Sequence, residues 1–106
     1  YFKNYRGSVI GGTGTSSATY PYAAKTATYP IVDGDYTIDC TANTFTVTLH
    51  TAVGYAGRIY NIKNSGTGTI TVDTTSSQTI DGTTTVTLLQ YECVTVQSTN
   101  ANWIIL

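Results

Sequence analysis

The stretch TFTVTLH, residues 44–50, decides the fold class. Its apolar residues, Phe45, Val47 and Leu49, alternate with threonines and a final histidine. Because successive side chains of a β-strand point to opposite faces, this alternation is typical of a strand with one buried face. No segment carries an apolar stripe at helical spacing for more than about one turn. The sequence therefore indicates an all-β protein.

The same alternation continues on both sides of this stretch. Short alternating segments recur roughly every 8–12 residues from residue 33 onward. They are residues 36–40, 44–50, 58–63, 69–73, 78–80, 84–88, 92–98 and 102–106. Turn sequences separate them, among them Asn64–Gly68, where we expect glycines with positive φ, and Asp81-Gly82. The pattern predicts a small antiparallel β-sandwich or barrel of about eight short strands.

The first part of the chain has a different composition. Residues 1–32 contain both prolines, a glycine-rich segment at residues 11–14 and five of the nine tyrosines. Proline disfavours both helices and central strands. We predict an extended N-terminal arm or connector over residues 1–32, with one short strand near residues 8–10, and a β-sandwich domain over residues 33–106. The chain has no methionine, so we expect a processed product or a piece of a longer protein.

The low charge and the lack of long apolar runs exclude several classes of protein, and the positions of the two cysteines argue against a disulfide. Only 10% of the residues are charged and the net charge is −1, which excludes an electrostatic nucleic-acid binder and a polybasic membrane-surface module. No apolar run approaches the ~20 residues of a membrane span, so we expect no membrane insertion. Alternation places Cys40 on an apolar face and Cys93 on a polar one, which favours two free thiols over a disulfide.

Two strands have apolar side chains on both faces. Ile59 opposes Tyr60 and Ile62, and Trp103 and Ile105 oppose the two other apolar residues of the last strand. Contact with further copies of the chain would bury both faces, so the pattern favours a closed homo-oligomer. We expect the interface at Ile59, Tyr60, Ile104 and Leu106. A monomer with an uncharged, threonine-rich surface is the alternative.

An ordered set of motifs resembles a known family. The motifs are TVTL (46–49), GRIYNIK (57–63), ITVD (70–73), SQTIDG (77–82), TTTVTLLQYECVTV (83–96) and TNANWIIL (99–106). Over about residues 35–106 they resemble the β domain that recurs in tailed-phage tail-fibre, tail-spike and related virion proteins. The resemblance implies a homotrimeric structural module on the virion surface, outside the cell. The chain departs from the family at His50, where a proline is common, and at Cys40 and Cys93.

A carbohydrate site is the most credible ligand-binding activity. Sugar rings stack on exposed aromatic side chains beside amide and hydroxyl groups. Tyr55, in the longest loop, and Asn100, Asn102 and Trp103 are the candidate ligand-binding residues, although the alternation of Trp103 with Ile105 favours a core or interface residue. We expect an adhesive fibre or spike module whose loops 51–57 and 98–102 meet a host-surface glycan or another virion protein.

Two alternatives stay open. The first is a self-assembling filament or capsid-decoration subunit in which residues 1–30 act as an exchanged strand. The second is a glycan hydrolase, which needs two suitably spaced carboxylates. The chain has six acidic residues, three of them (Asp33, Asp35 and Asp81) in predicted turns, and is too short for a long β-helix, so we expect no catalytic activity.

We also expect no cofactor and no metal site. His50 is the only histidine and is predicted to lie in solvent at a strand end, and Asp33-Gly34-Asp35 is predicted to form a turn.

Overall fold

Residues 19–106, the part of the chain that the computed structural model describes, form two packed β-sheets without a helix. The strands are β1 (Tyr22–Lys25), β2 (Tyr29–Pro30), β3 (Thr37–Cys40), β4 (Phe45–Thr48), β5 (Ile59–Asn64), β6 (Ile70–Asp73), β7 (Thr85–Leu88), β8 (Cys93–Ser98) and β9 (Trp103–Ile105). The five-stranded sheet has the order β1-β3-β5-β8-β9 and the four-stranded sheet the order β2-β4-β6-β7. The all-β prediction is confirmed. No helix in this range is long and apolar enough to cross a membrane.

The first six strands alternate between the two sheets and stack in parallel. In the five-stranded sheet β1, β3 and β5 pair in parallel, with Thr37 opposite both Tyr22 and Asn61. In the four-stranded sheet β2, β4 and β6 do the same, with Phe45 opposite Ile70. The chain therefore winds through three turns, each of which adds one strand to each sheet, as in a short β-solenoid.

The last three strands reverse direction. β7 pairs antiparallel with β6, β8 with β5, and β9 with β8. The prediction of a wholly antiparallel sandwich is therefore wrong for the four pairs among β1–β6. The reason lies in the connections: the turn after β5 does not fold back as a hairpin but carries the chain across to the other sheet.

β1 and β2 fall inside residues 1–32, the stretch predicted to be an arm. Each is the first strand of its sheet, and Ile31 directly after β2 is buried in the core. The two prolines fit this placement, because proline is tolerated in edge strands. The sheets therefore begin before residue 33. The strand predicted near residues 8–10 lies outside the described residues.

The core lies between the inner faces of the two sheets. Phe45, Val47 and Leu49 point inward from the four-stranded sheet, as the alternation predicted, and meet Ile38 and Ile62 from the other sheet. Each fully buried side chain of this size stabilises the fold by about 1.5–3 kcal/mol relative to exposure.

The two cysteines are free, as predicted. Cys40 is buried in the core and Cys93 is exposed on the outer face. Burial raises the pKa of the Cys40 thiol to about 11. Cys93 is therefore the accessible thiol of residues 19–106, and Cys40 is a small apolar core residue.

The glycines of the turn after β5 have a different role from the predicted one. Neither Gly66 nor Gly68 has a positive φ. A Cβ at Gly66 would instead overlap the carbonyl oxygen of Ala42, and one at Gly68 would lie 2.7 Å from the backbone nitrogen of Thr44. These glycines allow successive turns of the chain to approach closely. The turn at Asp81-Gly82 does use positive φ, at 49° and 88°.

Replacing Gly66 by alanine tests this close approach. Because the Cβ meets backbone atoms that have no free rotation, we expect Gly66→Ala to lower the free energy of unfolding by about 2 kcal/mol or more. Gly34→Ala is the matched control, since no atom lies within 4 Å of the added Cβ, and it should change stability by less than ~0.5 kcal/mol. Urea unfolding measures both. Equal midpoints for the two variants would contradict the packing role of Gly66.

Candidate functional site

The two loops predicted to bind a ligand lie side by side. Residues 51–57 and 98–102 meet at one end of the sandwich, which we call the loop end. The Gly54 amide donates to Asn100 Oδ1 at 2.7 Å, and the Gly57 amide donates to the Ser98 carbonyl oxygen at 2.9 Å. Ser98 Oγ donates to the Ala52 carbonyl oxygen at 2.7 Å. These contacts hold both loops in one fixed arrangement.

A buried glutamine anchors the loop end to the core. Gln78 Oε1 accepts from the Ala52 amide at 2.8 Å, and its Nε2 donates to Thr51 Oγ1 at 2.8 Å. Gln78 is almost fully buried. A buried backbone amide needs a partner, and this side chain supplies it. The sequence pattern did not single out Gln78, because a lone glutamine between turn residues carries no signal of its own.

The predicted asparagines use their side-chain oxygens within the protein. Asn100 Oδ1 accepts from Gly54, and Asn102 Oδ1 accepts from the Thr79 amide at 2.9 Å. Asn100 also adopts a positive φ of 79°, which asparagine tolerates better than most residues. Both residues therefore position backbone. Their side-chain nitrogens have no protein hydrogen-bond partner within residues 19–106, so each has two donors to offer.

Trp103 is not a surface residue. It is 1% exposed, lies on the inner side of β9 and packs against Tyr60 with ring centroids 5.8 Å apart. Its indole Nε1 is buried without a hydrogen-bond partner among the described residues. The prediction that Trp103 contacts a ligand is therefore wrong, because no face of the ring is open. Its burial agrees with the alternative interpretation, that Trp103 is a core residue.

His50 is half-buried beneath the loop end and not free in solvent as predicted. Its Nδ1 lies 2.7 Å from the Thr51 carbonyl oxygen, and its Nε2 lies 2.6 Å from the Tyr60 hydroxyl. Because a carbonyl oxygen only accepts, Nδ1 carries the proton and the Tyr60 hydroxyl donates to Nε2 in the neutral ring. Both ring nitrogens are thus occupied.

Tyr55 covers this histidine from the outside. The two ring centroids are 4.4 Å apart, and the Arg58 guanidinium lies 6.0 Å from the Tyr55 centroid. Arg58 forms an ion pair of 2.5 Å with Asp33 and donates to the Asp33 carbonyl oxygen at 2.6 Å. Tyr55 is half-buried, so its outer face alone is available for stacking. The loop end therefore offers a partly open tyrosine beside an ion pair.

The predicted turn at Asp33-Gly34-Asp35 is confirmed. The Asp35 amide donates to the Val32 carbonyl oxygen at 3.0 Å, and Asp35 Oδ2 accepts from the Tyr29 hydroxyl at 2.7 Å. Within residues 19–106 no three histidine, cysteine, aspartate or glutamate side chains converge as metal ligands would. The carboxylates of Asp39 and Asp81 also accept protein hydrogen bonds.

A second exposed feature was missed by sequence reasoning. The connection from β7 to β8 borders a groove of about 420 Å³ that is lined by Leu88, Tyr91, Glu92 and Cys93, which we call the Tyr91 groove. Tyr91 is 67% exposed and has a φ of 68°. An exposed tyrosine in a connection gives no pattern, and only the backbone angle distinguishes it. The groove lies at the opposite end of β5 from the loop end.

Tyr60 makes stability depend on alkaline pH. Burial raises the pKa of Tyr60 to about 12, above the ordinary value of 10, although Arg58 acts in the opposite direction. Below pH 10 the phenol is neutral whether the chain is folded or unfolded. Above it the unfolded chain loses a proton that the folded chain keeps, so stability falls as the pH rises from about 10 towards 12.

Urea unfolding at several alkaline pH values measures this loss. We expect the Tyr60→Phe variant to lose stability less steeply than the wild type above pH 10. At neutral pH the same variant should be less stable by about 1 kcal/mol, because the hydrogen bond to His50 is gone. Identical slopes for the two proteins would show that Tyr60 ionises equally in both states.

Comparisons of the chain with protein-family models, with curated proteins and with solved structures gave no match. The likeness of residues 35–106 to the phage fibre domain therefore stays a prediction from motifs.

Proposed function

We propose that this chain is a structural and adhesive module of a phage-like tail fibre or spike. In this role three copies associate, and the rigid body presents the loop end at the virion surface, outside the cell, to a host-surface glycan or another virion protein. The motifs of residues 35–106 support the proposal, and so does a fold that combines stacked parallel turns with an uncharged, threonine-rich surface.

An exposed apolar face at the C-terminal strand carries the proposal. Ile104 and Ile105 on β9 are each 39% exposed, and Leu106 after it is 55% exposed. Ile59 lies on the same outer face, since Gln97 pairs with both Ile59 and Ile104. The backbone edge of β9 is already occupied, because the Trp103 amide donates to the Thr79 carbonyl oxygen at 2.8 Å and the Ile105 amide donates to Asp81 Oδ1 at 3.2 Å. The exposed feature is therefore an apolar face, which is typical of a surface that contacts another chain. We call Ile59, Ile104 and Leu106 the outer apolar patch.

Tyr60 does not belong to this interface. The sequence placed it there, but its side chain is fully buried inside the chain itself. The cause is the alternation of β5, which turns Tyr60 inward and Ile59 outward. The other three predicted interface residues share one outer face, and they are the ones on which the proposed association depends.

The edges at the other side of the molecule are protected. β1 ends in Lys25, and β2 ends in Pro30. Charge and proline at an edge strand discourage edge-to-edge pairing. Lys25 and Pro30 therefore disfavour growth from the first strands.

A trimer would strengthen weak binding at the loop end. Because hydrogen bonds already fix loops 51–57 and 98–102, little conformational entropy remains to be lost on binding. Three such sites on one rigid body raise the effective concentration at a surface that repeats its ligand. The outer ring face of Tyr55 and the unpaired amide nitrogens of Asn100 and Asn102 would make the contacts.

One observation favours the filament or decoration subunit as a second candidate. Among residues 19–106, no strand pairs with the outer edge of β1 or β2, so despite Lys25 and Pro30 a strand from a neighbour could add there. Because residues 22–30 are part of the sheets, deleting residues 1–30 would also damage the fold. Deletion of residues 1–18 is therefore the cleaner test of this alternative.

Native mass spectrometry at two protein concentrations tests the association. We expect a closed trimer that dilution does not change, and a monomer for Ile104→Lys, which places a charge in the outer apolar patch. Val53→Lys is the matched control, because Val53 is an exposed apolar residue of the loop end, and it should stay trimeric.

Two outcomes would contradict this expectation. A wild-type monomer would show that the outer apolar patch does not associate. A ladder of masses that grows with concentration and disappears on deletion of residues 1–18 would instead establish the filament alternative.

A further inference from the structure

The Tyr91 groove combines an aromatic ring, a carboxylate and an ammonium group in one place. Tyr91 and Glu92 line the groove. Lys63 Nζ lies 6.0 Å from the Tyr91 ring centroid and donates to the Tyr91 carbonyl oxygen at 3.1 Å. The volume of about 420 Å³ lies within the range of roughly 300–1,000 Å³ that small-molecule sites occupy. The groove is large enough for one or two sugar rings.

The backbone holds Tyr91 in an unfavourable conformation. A φ of 68° is uncommon for any residue with a Cβ and is a clear outlier for a bulky one. Such strain persists only where the surroundings impose it, and it concentrates at functional sites. Here it keeps a large apolar ring 67% exposed instead of packed on the core. The turn of residues 89–92, closed by the Glu92 amide on the Leu89 carbonyl oxygen at 3.0 Å, places this positive φ at its third residue, where a glycine or an asparagine would be less strained than a tyrosine.

The surroundings that impose the strain are rigid. The Tyr91 amide donates to the Asn64 carbonyl oxygen at 2.5 Å, and the Asn64 amide donates to the Glu92 carbonyl oxygen at 2.9 Å. Glu92 Oε1 accepts from the Leu89 amide at 2.8 Å. These hydrogen bonds fix the connection on both sides, so the backbone that carries the Tyr91 ring is already in place before a ligand binds.

The polar groups beside the ring are only partly used. Glu92 Oε2 has no protein partner among the described residues, and Lys63 Nζ has donors left after its bond to the Tyr91 carbonyl oxygen. A pyranose ring has an apolar C–H face that stacks on an aromatic ring, and hydroxyl groups at its rim that bond to such polar groups. The carboxylate disfavours a phosphate or another anion.

We infer that the Tyr91 groove is a binding site for a neutral pyranose unit of a glycan, with Tyr91 as the stacking platform and Glu92 and Lys63 as hydroxyl partners. This inference rests on the adhesive half of the proposed function and adds a second glycan site, separate from the loop end. The groove lies at the Asn64 end of β5, and Ile59 of the outer apolar patch at the other end, whereas Leu106 of the patch lies opposite Thr95, two residues along β8 from Cys93, roughly 7 Å at 3.3 Å per residue.

Cys93 provides a probe inside the groove. It lines the groove and is exposed, whereas the other cysteine is buried in the core. A sugar in the groove should therefore slow alkylation of Cys93 by iodoacetamide. The rate is followed by intact mass with the methyl glycosides of glucose, galactose and N-acetylglucosamine, each added alone. We expect at least one of them to slow the reaction several-fold.

Three variants separate stacking from folding. Tyr91→Gly removes the ring and relieves the positive φ, so it should melt at the same temperature as the wild type or higher while losing the protection of Cys93. Tyr91→Phe keeps the ring and should keep the protection. Tyr22→Ala removes a tyrosine of equal exposure at the far edge of the same sheet and is the matched control.

Each outcome decides the inference. Protection of Cys93 that Tyr91→Gly abolishes, and that Tyr91→Phe and Tyr22→Ala retain, supports it. No protection by any of the three glycosides, or protection that survives Tyr91→Gly, overturns it. The mass of the assembled species is read in the same spectra, so a monomer with a protected Cys93 would contradict the trimer and leave the sugar site standing.

Discussion

The last two changes of sheet, from β5 to β6 and from β7 to β8, depend on one buried asparagine at the end of β5. The Asn64 side chain donates to the carbonyl oxygens of Gly68 and Leu88, at 2.7 and 2.9 Å, and accepts from the Gly66 amide at 3.0 Å. Its backbone pairs with the connection from β7 to β8. A fully buried amide with all its partners stabilises a single arrangement, and each lost partner costs about 1–3 kcal/mol. The crossing into the four-stranded sheet and the return from it are therefore joined at Asn64.

The inner face of the sandwich was predictable from the sequence, whereas the direction of its strands was not. Alternation depends only on which side chains are apolar, and it identified Phe45, Val47 and Leu49 as core. Parallel and antiparallel neighbours bury the same alternating pattern, so strand direction depends on where each connection leads. β2 was missed because two residues that end in a proline give no alternation.

For the candidate site, too, the sequence predicted which segments form it but not how their side chains are oriented. Loops 51–57 and 98–102 were identified from length and composition, and the structure brings them together. Which atoms of Asn100 and Asn102 face inward depends on backbone amides supplied by distant residues, and no local pattern carries that information. Trp103 and His50 were misplaced for a related reason, because burial at a sandwich end depends on how the loops close over it. Tyr91 is a different case, because the feature that distinguishes it is a backbone angle, its positive φ, which the sequence does not reveal.

The antiparallel strands β7, β8 and β9 make the two ends of the winding unequal. Within residues 19–106 the winding begins with β1 and β2, which run parallel to the strands of the next turn. At the other side the chain reverses, and β7 and β9 lie antiparallel to their neighbours. The two sides of the sandwich therefore have different backbone ladders: slanted, evenly spaced hydrogen bonds at β1 and β2, and perpendicular hydrogen bonds in alternating close and wide pairs at β7 and β9.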